Sequence, residues 1–174
     1  MLGKIKTAID LCWLKIRHPK VNTSGVHHIR KGTEIVIVED GSIFIGEGVS
    51  THCRVTFSVV GGKLSIGDNT SFNRNSIIVC HKEIIIGGKC SFGPNLVMYD
   101  HDHIFDRTGF KKGDYHTDSI IIEDNCWIGA NVTILKGTHI GEGCVIGAGA
   151  IVKGSIPAHS LVKSNRDLII QPIN

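Results

Sequence analysis

Proline is scarce in this chain, four residues among 174, and aromatic residues make up only 6%. No apolar run reaches the ~18–20 residues that a bilayer-spanning helix needs. The N-terminus shows neither a long uninterrupted apolar core nor a small-residue cleavage site, so no secretory signal is read and a cytoplasmic protein is expected. The six cysteines, at 12, 53, 80, 90, 126 and 144, form no C-x-x-C pair, which removes the usual zinc-ribbon and thiol-redox patterns. Aromatics are too few, and the basic residues too confined to one end, to suggest a nucleic-acid surface. No metal requirement is read.

What is abundant is glycine: 21 of 174 residues, about 12% against a usual share near 7%. Glycine without proline suggests many tight corners. Charge is uneven. The net charge is +3, yet residues 1–31 hold seven Lys/Arg and one Asp, and the remainder is acidic.

A six-residue period organises most of the chain. Aliphatic residues recur at Ile122, Ile128, Ile134, Ile140, Ile146 and Val152, and the same frame includes Ile66, Phe72, Ile86, Phe92 and Met98. The position two before each aliphatic residue is small or β-branched: Cys126, Val132, Thr138, Cys144, Ala150. Strand alternation puts both on one face, pointing inward, while Gly, Asn and Asp between them supply corner conformations. Three hexads are expected to close one triangular coil of 18 residues, and coils stack into a solenoid. Cys90, Cys126 and Cys144 then read as small buried apolar residues.

Two segments depart from the period. Residues 3–17 carry Ile5, Ala8, Ile9, Cys12, Trp13 and Ile16 at helical spacing, with Pro19 after the end. Residues 1–20 are therefore read as a helix and cap ahead of a solenoid over 21–174. The basic amphipathic stripe also suits peripheral contact with an anionic membrane surface. Between Met98 and Ile122 the repeat breaks into 104-IFDRTGFKKGDYHTDS-119, a polar excursion preceded by 99-YDHDH-103. Long excursions from regular scaffolds are where function concentrates.

The stretches 66-IGDNTSFNRN-75, 86-IGGKCSFGPNLVMYDHDH-103 and 120-IIIEDNCWIGANVTILKGTHIGEGCVIGAGAIV-152 resemble the hexapeptide-repeat acetyltransferases, notably the maltose/galactoside O-acetyltransferase group and bacterial polysaccharide O-acetyltransferases. The resemblance implies an all-β, left-handed parallel β-helix, assembled as a homotrimer, with acetyl-coenzyme A as co-substrate and a sugar as acceptor. It implies His101 as general base, suited by an imidazole pKa near operating pH, and the backbone N–H of Ala130 as oxyanion donor. His103 shares the face of His101 and is an alternative base or an acceptor contact. Asp100 is a candidate for orienting the imidazole or lining the acceptor pocket. Asn75 matches an acceptor-binding Asn. Trp127, flanked by inward Cys126 and Ile128, must point outward and would wall a cleft between subunits, touching acceptor and coenzyme A. Ala130, Ala148 and Lys153 are the further coenzyme A contacts implied. Near the C-terminus 164-SNRDL-168 keeps only the Asn of the family's Gly-Asn-Pro-Ala-Lys stretch, leaving Lys163 or Arg166 as substitute phosphate partners.

Other readings are an N-acetyltransferase for a nucleotide-linked amino sugar and a trimeric scaffold without catalysis. A zinc-dependent carbonic anhydrase of the same solenoid type needs H-x-x-x-x-H, and five residues after His101 stands Asp106.

Overall fold

A computed structural model of the chain describes residues 20–164. The helix expected over 3–17, together with Arg166, lies outside the described residues. Within them the chain winds into a parallel β-helix of about six turns, with three flat faces meeting at three corners.

The first face stacks seven strands: Val21–Thr23, Ser42–Ile45, Lys63–Ile66, Glu83–Ile86, Ile120–Ile122, His139–Ile140 and Ser155–Ile156. The second stacks six short ones from Ser50–Thr51 to Leu161–Val162, and the third six from Glu34–Val38 to Ile151–Val152. Pairing is in register, so like residues pile up. Ile45, Ile66, Ile86, Ile122, Ile140 and Ile156 form one ladder on the first face. Phe72, Phe92, Ile128 and Ile146 form one on the second.

All the aliphatic residues of the period are buried inside the prism, as are Cys90, Cys126 and Cys144. The Cys90 thiol donates to Glu123 O (3.2 Å), that of Cys126 to Gly141 O (3.2 Å) and that of Cys144 to Pro157 O (3.0 Å). Each thiol thus occupies a small inward position and satisfies a carbonyl of the next coil. Phe72 and Phe92 stack in parallel at 4.8 Å, and Phe57 meets Phe72 edge-on at 5.2 Å.

The corners explain the asparagines. Asn75, Asn95 and Asn131 sit at φ 60°, 60° and 55° in successive coils, a left-handed conformation that Asn tolerates better than most side chains. Their amides chain together: Asn75 Nδ2 donates to Asn95 Oδ1 (2.9 Å) and Asn95 Nδ2 to Asn131 Oδ1 (2.9 Å).

The expected coil length needs correction. Ile122 to Ile140 spans the anticipated 18 positions, but Ile45 to Ile66 spans 21 and Ile66 to Ile86 spans 20. The extra residues lengthen the strands on either side of the corner between the third and first faces, as Thr56–Val60 and Lys63–Ile66 against Thr133–Leu135 and His139–Ile140. The corner itself, Gly61-Gly62 or His81-Lys82, is no longer than the later Lys136-Gly137-Thr138. That corner also carries the excursion, an antiparallel hairpin of His101–Asp106 and Gly109–Thr117. It begins at His101, before the polar run that marked it in the sequence, because His101 already pairs with Thr117.

Candidate active site

The hairpin leaves the prism over a buried carboxylate. Asp100 is 0% exposed, and its oxygens accept three backbone N–H groups from the coil above: His81 (2.8 Å), Lys82 (2.7 Å) and Glu83 (3.0 Å). The corner presents three successive amides to a single side chain, so the charge is held by hydrogen bonds rather than by a cation. Oδ1, which accepts from His81, also lies 3.4 Å from Nδ1 of His101.

His101 therefore stands with one ring nitrogen toward a fixed anion, which selects the tautomer that leaves Nε2 as the proton acceptor. Its ring is enclosed by other rings. His81 packs on it at 3.8 Å between centroids, tilted 34°. Tyr99 and Tyr115 meet it edge-on at 5.7 and 5.2 Å. His103 lies on the same hairpin face, 6.4 Å from His101 and 4.9 Å from Tyr115. The contact with the buried Asp100 carboxylate is made by His101.

The pKa of His81 is pushed below its ordinary 6.5, first by burial and next by the neighbouring His101. Lys82 Nζ to Asp118 Oδ1 (3.3 Å) and Lys136 Nζ to Asp102 Oδ2 (3.6 Å) tie the hairpin base to the coils on either side.

The other residues singled out in the sequence lie elsewhere. Asp100, offered both as an acceptor contact and as an orienter, is sealed beneath His101, so its position suits the second role. Asn75 sits at the opposite end of the third face, where its amide also accepts from Arg54 Nε at 2.7 Å. Its side chain serves the corner ladder, away from His101 of the same chain. Ala130 and Ala148 occupy that same second-to-third corner. Among the described residues no acceptor is bonded to the Ala130 N–H, whereas equivalent amides at the first-to-second corner donate to carboxylates, as Gly88 does to Asp124 at 2.8 Å. Trp127 is 59% exposed on the second face. Lys153 is exposed on the His101 corner, one coil beyond Lys136.

A face of the prism thus separates His101 from Ala130 and Trp127. Spanning a face takes about five residues at ~3.3 Å each, roughly 15 Å, too far for one acyl group to touch both.

Sequence reasoning overlooked His81, Tyr99 and Tyr115. His81 could have been found, since it precedes His101 by one coil of the early length. Tyr115 could not, because hairpin register is not written in the hexad period.

Residues 119–153 match the family model described as the hexapeptide repeat of succinyl-transferase. The chain thus carries this hexapeptide repeat, and the proteins it resembles are acetyltransferases. It is 33% identical over 130 residues to galactoside O-acetyltransferase of Escherichia coli, covering 75% of this chain and 64% of that protein. It is 29% identical over 152 residues to a second Escherichia coli protein, WbbJ, named for O-acetyl transfer in lipopolysaccharide biosynthesis, covering 79% of this chain and 76% of the relative. Among solved structures it resembles the hexapeptide-repeat acetyltransferase VCA0836 of Vibrio cholerae, crystallised with acetyl-coenzyme A. That match has 33% identity and a TM-score of 0.53, over 56% of this chain and 54% of that one. The chain spans about half to three quarters of these relatives' lengths.

Proposed function

We propose that this hexapeptide-repeat protein is an acetyl-coenzyme A-dependent acetyltransferase that acetylates a hydroxyl of a sugar acceptor. The observation that carries the reading is the contact of His101 Nδ1 with a buried carboxylate itself fixed by three backbone N–H groups. That arrangement has the parts of a preorganised general base.

His101 Nε2 takes the proton of the acceptor hydroxyl as its oxygen attacks the thioester carbonyl. Asp100 holds the ring in place through Nδ1 while Nε2 faces the acceptor. The tetrahedral oxyanion accepts a hydrogen bond from the Ala130 N–H. Collapse breaks the C–S bond, and the thiolate leaves as coenzyme A with the proton returned by His101. Nothing covalent forms on the protein.

Because His101 and Ala130 lie on different corners, the complete site joins the His101 corner of one subunit to the Ala130 corner of another, as a cyclic homotrimer allows. Trp127 then lines the cleft, and the donor takes Ala148 from one subunit and Lys153 from the other. The relatives named for galactoside and lipopolysaccharide acetylation support a sugar acceptor. No helix among the described residues is long and apolar enough to cross a membrane, and we place the protein in the cytoplasm, with residues 3–17 as its contact for an inner-membrane surface.

The test is thiol release from acetyl-coenzyme A across a panel of sugars and amino sugars, comparing wild type with His101→Ala, His103→Ala and Ala130→Pro. Proline is compatible with the Ala130 position, since Pro94 stands at the equivalent position of the preceding coil; only the N–H is removed. Loss of release of a hundredfold or more in His101→Ala and Ala130→Pro, with His103→Ala far milder, is expected. Undiminished release in His101→Ala would remove the reading. Transfer confined to amino sugars would replace O- by N-acetylation.

A further inference from the structure

The second-to-third corner is a stack of columns, one residue per coil. Register aligns Phe72 with Phe92, Phe92 with Ile128 and Ile128 with Ile146. The residues two further on therefore also align: Arg74, Pro94, Ala130, Ala148. Beside them Arg54, Asn75, Asn95 and Asn131 form the adjoining column of left-handed corner residues.

This edge is chemically divided. Its downstream half is glycine, alanine, proline and asparagine, without charge. Its upstream half carries Arg30, Lys31, Arg54 and Arg74, all exposed. None of the four makes an ion pair among the described residues. Glu34, the nearby carboxylate, is paired with none of them. Arg54 alone has a polar side-chain partner, the neutral amide of Asn75. Coils lie about 4.8 Å apart, so four positive charges crowd three coils, a local potential that an anion would relieve.

The face beside this edge is of a different kind. Ser50, Ser71, Ser91 and Trp127 stand in direct register, all pointing outward, and Ser71 Oγ and Ser91 Oγ are 3.3 Å apart. A row of hydroxyls ending on an exposed indole offers hydrogen bonds and a flat apolar surface side by side, a pairing suited to sugar rings.

We infer that this edge holds the acceptor, and that the acceptor is an anionic sugar compound whose carboxylate or phosphate groups pair with Arg30, Lys31, Arg54 and Arg74 while its rings lie along the serine row toward Trp127. The inference rests on the transfer reaction proposed above. Arg74 stands two coils upstream of Ala130, roughly 10 Å, which leaves room for a sugar ring between the anion and the acyl group.

Binding is measured by calorimetry without donor, so its outcome is independent of whether transfer occurs. The probes are an oligogalacturonate, a UDP-sugar and, as neutral control, maltoheptaose. The variant is Arg54→Asn with Arg74→Gln; Asn suits the φ of 59° at position 54, so folding is preserved. Lys63→Ala, an exposed cation on the first face, is the charge control. Expected is binding of an anionic probe at least tenfold tighter than of maltoheptaose, weakening steeply with salt, and a tenfold or greater loss in the double variant but not in Lys63→Ala. The oligogalacturonate and UDP-sugar arms tell a carboxylate from a phosphate as the recognised group. Equal affinity for neutral and anionic probes, or a double variant that binds like wild type, overturns the inference. So does a short oligonucleotide that binds tighter than either sugar with the same sensitivity to the variant, since the edge would then serve nucleic acid. Failure of His101→Ala to affect thiol release bears on the catalytic reading alone.

Discussion

Nδ1 of His101 lies 3.4 Å from Oδ1 of Asp100, and the same oxygen accepts the backbone N–H of His81 at 2.8 Å. One buried carboxylate therefore fixes both the imidazole and the coil that packs on it. In Asp100→Asn the amide group can satisfy only part of the three N–H donors and no longer presents a carboxylate to Nδ1 of His101. A fall in kcat of about 10–100-fold with little change in KM is expected, along with a loss of stability of roughly 1–3 kcal/mol. Steady-state kinetics on folded protein, checked by thermal melting, separates the two effects.

His81 must stay neutral to serve beside His101. Its folded pKa is depressed below 6.5, so the unfolded chain binds more protons than the folded one as pH falls through 6.5. The contribution to stability is complete above pH 6.5 and is lost as pH falls toward the folded value. The melting temperature of wild type should drop between pH 7.5 and 5.5 by more than that of His81→Phe. Conversely His81→Lys places a permanent cation against the base. It should lower kcat and move the acidic limb of the rate profile to lower pH, a shift that loss of packing alone would not produce.

Interchain assembly of the site has a direct signature. His101→Ala and Ala130→Pro remove parts contributed by different subunits. Co-expressed and purified together, they should recover activity in about a quarter of the sites of randomly mixed trimers. Separate preparations mixed after assembly, without exchange, should remain inactive. A mixed sample as inactive as its components would show that one chain supplies both groups.

The corner ladder predicts a stability difference that depends on backbone conformation. Asn95, at φ 60°, bonds both Asn75 and Asn131. Asn95→Ala loses both amide bonds and the short polar side chain that makes the left-handed conformation tolerable, costing about 1–2 kcal/mol or more. Asn95→Gly loses the bonds but relieves the strain, so it should melt above Asn95→Ala. The core is less forgiving: Phe72→Ala, which leaves a void between Phe57 and Phe92, should cost about 3–5 kcal/mol by urea unfolding.

Much of this architecture is local, and local chemistry is legible in a sequence. Ile122, Ile128, Ile134, Ile140 and Ile146 are inward because strand alternation and a fixed corner leave a six-residue period no other solution. Cys126 and Cys144 are buried for the same reason, and Trp127 is exposed because it stands between two inward residues. The segment 99-YDHDH-103 could be singled out because it stands where the period fails, and the family resemblance, not the period, pointed to His101 within it. Tertiary structure decided what periodicity cannot encode. The early coils are longer than 18 residues because the strands flanking the third-to-first corner are longer, and the corner at His81-Lys82 turns three amides onto Asp100. Only coil stacking brings His81 to 3.8 Å from His101, and only hairpin pairing brings Tyr115 to 5.2 Å. The sequence by itself determined which residues face inward, since that depends on the chain's own alternation. Which outward residues meet was left to the winding of the coils, because proximity across them depends on strand length and register.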